Sequence, residues 1–253
     1  MHAALHSLHK PAPSQRLLRV SPGQCAVCRS WATQAVCTGC LNRYASSTQR
    51  CWTCGLRIPG DRAAQPEPRC GQCLHTPPPL DRCIAALDYA FPWDGLLQRY
   101  KFNQALELRR ALSDRLAEAL AVARPEIPDL LLPVPLAPER LRERGYNQSL
   151  ELAAALARQY PLQCEPSLLL RVRHGSPQAQ LEVKARAAHV RHAFALEPAR
   201  AASLRGRSVA VLDDVMTSGE TLFEIARVLR QAGASHIQAW VLARTPQPGT
   251  DQP

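Results

Sequence analysis

Val209-Ala210-Val211-Leu212-Asp213-Asp214-Val215-Met216-Thr217-Ser218-Gly219-Glu220-Thr221 is the stretch that decides the fold. An apolar run suited to a buried strand ends in two acids. A turn of hydroxyl and glycine residues follows and opens a helix with Leu222, Ile225, Ala226 and Leu229 on one face. A helix start offers unpaired main-chain N–H groups and the positive end of the helix dipole, which together suit a phosphate. Gly219 lets the backbone wrap closely, while Thr217, Ser218 and Thr221 add hydroxyl donors. Hydrogen bonds to a charged partner contribute roughly 1.5–3 kcal/mol each, so a handful makes a firm anchor. Asp213 and Asp214 would repel that phosphate and suit instead a neighbouring sugar diol or a hydrated Mg²⁺. A 5-phosphoribosyl group carries both features.

Working outward, apolar runs alternate with helical patterns. The periodicity predicts a helix over Asp94–Arg124, with Leu108, Leu112, Leu116 and Leu120 at every fourth position and Arg124-Pro125 at its end. Strands are predicted at 129–134, 168–172, 208–212 and 236–242. Helices are predicted from the Asn147 cap to about Gln159, over the short charged segment 182–190, and over 217–232, where Gly233 ends it. Residues 174–180 read as a loop. Such alternation predicts an α/β fold, a parallel sheet with helices on its faces, whose ligands bind beyond the carboxyl ends of the strands.

The N-terminal third is different. Eight of ten cysteines form CxxC pairs: Cys25/Cys28, Cys37/Cys40, Cys51/Cys54 and Cys70/Cys73. Two such knuckles complete a tetrahedral Zn–S₄ site, so two structural Zn²⁺ ions are expected. Disulfides need an oxidising compartment, for which no export signal is seen, and a thioredoxin-type motif needs a single CxxC in a βαβ setting. Zinc binding typically supplies ~10–16 kcal/mol, which a segment this short and apolar-poor needs in order to fold. Sequential pairing of the knuckles and a cross-braced pairing both remain open.

These readings divide the chain into a loose leader (1–20), a double zinc ribbon (21–76), a stiff linker at 77–80 containing Pro77-Pro78-Pro79, an α/β domain (81–245) and a tail (246–253). The formal charge is +10, of which residues 1–80 carry +7. Two Zn–S₄ sites, each with a net charge of −2, would bring the whole chain to +6. A basic face for nucleic acid or anionic lipid is weakened accordingly. No run approaches the ~18 apolar residues of a membrane span, and a cytoplasmic protein is expected. The eight histidines show no metal-binding spacing.

The string from Val209 to Thr221 resembles the phosphoribosyl pyrophosphate (PRPP) signature of type I phosphoribosyltransferases position for position. Other segments resemble the ComF/GntX family of competence-associated phosphoribosyltransferases. They are the four CxxC pairs, Tyr100-Lys101-Phe102, Leu132-Pro133-Val134-Pro135-Leu136, and Arg140 through Arg144-Gly145-Tyr146-Asn147-Gln148. Pro177-Gln178-Ala179, Arg186 and Ala193-Phe194 resemble the family's mobile loop. The chain departs from the family pattern at Gln180, where glycine is usual, and at His189 and His192, where asparagine and glycine are usual.

The resemblance implies Mg²⁺-dependent PRPP binding, transfer of the ribosyl group to an unidentified acceptor, and a role in the uptake or processing of single-stranded DNA. It implies Asp213, Asp214, Lys101, Arg144 and Arg186 as catalytic candidates. Asp213 and Asp214 again, with Thr217, Ser218, Gly219, Glu220, Thr221, Val134 and Pro135, are the implied PRPP-binding residues, and Arg140 is a further cation at the pyrophosphate. The alternative is a non-catalytic protein that binds single-stranded DNA and uses PRPP as a signal or keeps a vestigial pocket. Implied partners are a competence helicase or other DNA-uptake proteins, with peripheral association at the inner membrane.

Overall fold

A computed structural model describes residues 23–58, 65–172 and 192–247. Four strands form one parallel sheet: β3 (Arg82–Asp88), β4 (Leu130–Pro133), β7 (Ser208–Met216) and β8 (His236–Arg244), in the order β3-β8-β7-β4. Its inner strands are buried on both faces, as their unbroken apolar runs require; Val209, Ala210, Val211 and Leu212 are all fully inaccessible. Two further pairs are antiparallel: β1 (Gly23–Gln24) with β2 (Trp31–Ala32), and β5 (Leu169–Arg171) with β6 (Phe194–Leu196).

Seven α-helices complete the described chain: α1 (Thr38–Tyr44), α2 (Gly71–His75), α3 (Trp93–Phe102), α4 (Leu108–Ala123), α5 (Pro138–Arg144), α6 (Gln148–Ala157) and α7 (Glu220–Gln231). Leu222, Ile225, Ala226 and Leu229 of α7 join one core with Val209, Val211 and Val241. Leucines of α3, α4 and α6 join the other with Ala210, Leu212 and Trp240. Cys51, Cys54 and Cys73 belong to the first core and Cys25 and Cys40 to the second. The cysteine-rich region therefore packs directly on the layers that flank the sheet.

Several expectations are corrected. The helix read over 94–124 is two helices, α3 and α4. The break falls at Asn103-Gln104, where Gln104 takes φ 51, and it lets Leu108, Leu112, Leu116 and Leu120 turn onto the sheet. Strand β7 runs on through Asp213 and Asp214 to Met216, so the acids lie in the strand and α7 starts at Glu220 rather than Thr217. Strand β5 lies outside the parallel sheet. The sequence reading has no counterpart to β3, an edge strand paired with β8, or to α5, which starts at Pro138 and stops at Gly145 with φ 78. The predicted loop at 174–180 and helix at 182–190 lie outside the described residues. Among the described residues, no helix is long and apolar enough to cross a membrane.

Candidate functional site

The carboxyl end of β7 delivers the signature string to the edge of the sheet. Gly219 forms the N-cap of α7 at φ 92, and a Cβ there would lie 2.5 Å from the Met216 Cε and 2.7 Å from the Phe223 ring. Both the left-handed backbone and the close approach exclude a side chain. Phe223 N–H closes the first helical turn on the Gly219 carbonyl at 2.9 Å. Among the described residues, the N–H groups of Thr217, Ser218, Gly219, Glu220 and Thr221 donate to no protein acceptor. Thr217 and Ser218 are exposed. The result is a run of unpaired main-chain donors at a helix start, exposed at its first two residues, the arrangement that binds anions.

Asp213 and Asp214 stand just before these donors. Lys101 Nζ, in the last turn of α3, lies 3.0 Å from Asp214 Oδ1. The Ser149 hydroxyl and the Asp214 N–H donate to Asp213 Oδ1 at 3.0 and 2.9 Å. Burial first, and then the charge of Asp214, push Asp213 up to about 7 against the opposing pull of Lys101. A carboxyl held this way gains from a further cation or from hydroxyl donors.

Second-layer contacts hold the arrangement. The Asn147 side chain caps α6 by accepting from Ser149 N–H and Leu150 N–H. Its amide donates to the Val134 carbonyl at 3.0 Å, and so ties the β4 turn to the helix that carries Ser149. Arg144 packs its guanidinium over the Phe102 ring at 4.7 Å. Burial lowers its pKa, while Asp214 acts in the opposite sense. Tyr100 and Tyr146 meet at a ring distance of 5.7 Å, and neither buried hydroxyl has a hydrogen-bond partner among the described residues.

The structure thus brings Lys101, Asp213, Asp214, Thr217, Ser218, Gly219, Glu220 and Thr221 to one end of the sheet, with the charge of Arg144 acting on Asp214. Val134 and Pro135 offer no main-chain donor: Val134 N–H is taken by the Leu212 carbonyl at 2.9 Å, and proline has none. Arg186 and the string at 177–180 lie outside the described residues. His192 takes φ 60, the left-handed region that favours the glycine usual there in the family pattern. Ser149 and Arg244 escaped the sequence reading. A serine in the first turn of a capped helix and an arginine ending a strand carry no local signal of their partners.

The cysteines form two clusters, Cys25/Cys28/Cys37/Cys40 and Cys51/Cys54/Cys70/Cys73, with the sulfurs of each within 4.8 Å of one another. The knuckles pair in sequential order. Main-chain N–H groups of Val27 and Cys37 point at Cys25 Sγ, and that of Cys70 at Cys51 Sγ, as they do toward thiolates. Burial and the neighbouring cysteines push Cys40 up to about 12; at Cys25 burial also raises the pKa, but N–H donors outweigh it and bring it to about 6. Only a shared cation lets all four sulfurs of such a cluster be thiolates. Either cluster could hold a structural zinc ion with no open position.

Residues 147–252 match the model of the phosphoribosyl transferase domain family. The chain is 34% identical over 231 residues to the DNA utilization protein YhgH of Escherichia coli K12, covering 88% of this chain and 98% of that protein. It is 33% identical over 228 residues to competence protein F of Haemophilus influenzae, covering 87% and 96%. Among solved structures it is similar to a Bacillus subtilis glutamine PRPP amidotransferase, at 23% identity and a TM-score of 0.36, over 53% of this chain and 26% of that one.

Proposed function

Because the chain belongs to the ComF family of phosphoribosyltransferase-domain proteins, we propose that it binds PRPP with Mg²⁺ and transfers the phosphoribosyl group to an acceptor. One observation supports this above others: the unpaired N–H groups at residues 217–221 follow Asp213 and Asp214 where β7 ends and α7 opens. The amides and the Thr217, Ser218 and Thr221 hydroxyls take the 5-phosphate. The two carboxylates take the 2- and 3-hydroxyls. With Asp213 drawn up to about 7, the acidic pair also fits a hydrated divalent ion, which when bound offsets the charge of the pyrophosphate. Ribosyl transfer passes through an oxocarbenium-like state, so the site must steady positive charge at the sugar and negative charge at the leaving group. Asp213 and Asp214 serve the first need; Lys101, Arg140 and Arg144 serve the second.

Calorimetry with PRPP and Mg²⁺ tests the reading. Wild type is expected to bind, and the Asp213→Asn/Asp214→Asn protein to lose at least ~10-fold in affinity, the scale of one or two hydrogen bonds to a charged group. Equal affinity in both proteins sinks the ribose-diol assignment. The names of the relatives extend the proposal to DNA utilization and competence, with single-stranded DNA as a candidate ligand whose binding should weaken steeply with salt.

A further inference from the structure

Arg244 ends β8 and is 6% exposed, yet no carboxylate among the described residues pairs with it. Its guanidinium is used on backbone carbonyls instead. Nε donates to the Cys54 carbonyl at 2.9 Å. Nη1 donates to the Met216 carbonyl at 3.1 Å, to the Thr217 carbonyl, and to the Thr245 carbonyl at 2.9 Å. One side chain therefore bridges the second cysteine cluster and the loop that opens α7.

Two consequences follow from peptide geometry and charge. In a trans peptide the C=O and N–H point in opposite directions. Holding the Met216 and Thr217 carbonyls inward on Arg244 turns the N–H groups of Thr217 and Ser218 outward, toward the open side of the loop. A buried cation also needs compensation. A zinc ion with four thiolates would carry a net charge of −2, and the bond to the Cys54 carbonyl places the guanidinium beside that cluster. The knuckle is closely fitted to this place. Trp52 accepts from Cys83 N–H at 2.7 Å, a Cβ on Gly55 would meet Cys83 Sγ at 3.0 Å, and Cys83 Sγ lies 3.9 Å from Met216 Sδ.

We propose that Arg244 is a positioning residue that couples zinc at Cys51/Cys54/Cys70/Cys73 to the anion-binding shape of residues 216–221. Zinc held there keeps the Cys54 carbonyl in place, Arg244 carries that constraint to the loop, and the loop presents its amides. Coupling of this kind is reciprocal, so ligand binding at the loop must also tighten the zinc site. The ligand side of the proposal rests on the PRPP reading above; the loop geometry does not.

The test compares the full-length zinc-loaded protein with Arg244→Lys, which keeps the charge but cannot span both sets of carbonyls. In hydrogen exchange read at single residues, the bonded amides that flank the loop, Phe223 N–H on the Gly219 carbonyl and Thr245 N–H on the Met216 carbonyl, should exchange ~5-fold faster or more in Arg244→Lys, while 130–133 stay unchanged. In wild type, PRPP with Mg²⁺ should slow chelator extraction of one of the two zinc ions by a similar factor; in Arg244→Lys it should not. Unchanged exchange at Phe223 and Thr245, or equal slowing in both proteins, overturns the proposal. A wild type that shows no calorimetric PRPP binding defeats the PRPP reading alone, and exchange at Phe223 and Thr245 still decides the coupling. If Arg244→Lys does not fold, stepwise zinc withdrawal from wild type decides it. Deprotection of Phe223 and Thr245 together with 51–58 supports the coupling, and deprotection of 51–58 alone overturns it.

Discussion

Asp213 shows how a single residue is tuned by its surroundings. Its folded pKa is raised to about 7, chiefly by burial, above an unfolded value of about 3.9. The folded state therefore holds the proton more tightly, and the stability this contributes is present below about pH 4 and lost as pH rises through about 7. The melting temperature of wild type should consequently fall relative to Asp213→Asn between about pH 4 and pH 7. A difference that stays constant over that range would show that Asp213 ionises like an ordinary carboxylate. Gly219 is tuned by sterics instead. Gly219→Ala forces a Cβ against Met216 and Phe223 at a positive φ, and should cost about 1–3 kcal/mol of stability by denaturant titration as well as PRPP binding. Both residues were visible as site candidates because the motif that marks them is contiguous. Ser149 was not, because its partner Asp213 is 64 positions away.

At the scale of elements, the helix and strand patterns were largely legible. Their ends and partners were less so. The four-residue leucine spacing of α4 is a local signal, and Leu108, Leu112, Leu116 and Leu120 are all buried as it implies. The same pattern ran on into α3 because nothing in Phe102-Asn103-Gln104 forbids a helix; the packing of two helices onto one sheet made the break. That break leaves Lys101 in the last turn of α3 with its amine on Asp214. The cap of α6 is the reverse case, where a local rule sets a distant contact. Asn147→Ala removes the bonds to Ser149 N–H and Leu150 N–H and should cost about 1 kcal/mol in urea unfolding. It also frees the Val134 carbonyl and the position of Ser149, so PRPP affinity should fall with it. A stability loss with unchanged affinity would show that α6 holds Ser149 without its cap.

Across the whole molecule, the two cysteine clusters pack into the same apolar layers that support the sheet. Elemental analysis should give two zinc ions per chain, and chelation should lower the stability of the sheet as well as of the knuckles. A sheet that melts at an unchanged temperature after zinc is withdrawn would contradict this sharing of the core. The CxxC spacing marked the candidate metal ligands, and the structure groups their sulfurs in sequential order. Features carried within a few residues were determined by the sequence by itself: the loop that opens α7, the cap of α6, the knuckles, and the alternation that makes a parallel sheet. The contacts that join those features were decided only by tertiary structure. Lys101 meets Asp214, Ser149 meets Asp213, and Arg244 reaches Cys54 across 190 positions of chain. Local patterns report backbone preferences and burial periodicity, whereas which distant residues become neighbours depends on strand order and on how the layers pack.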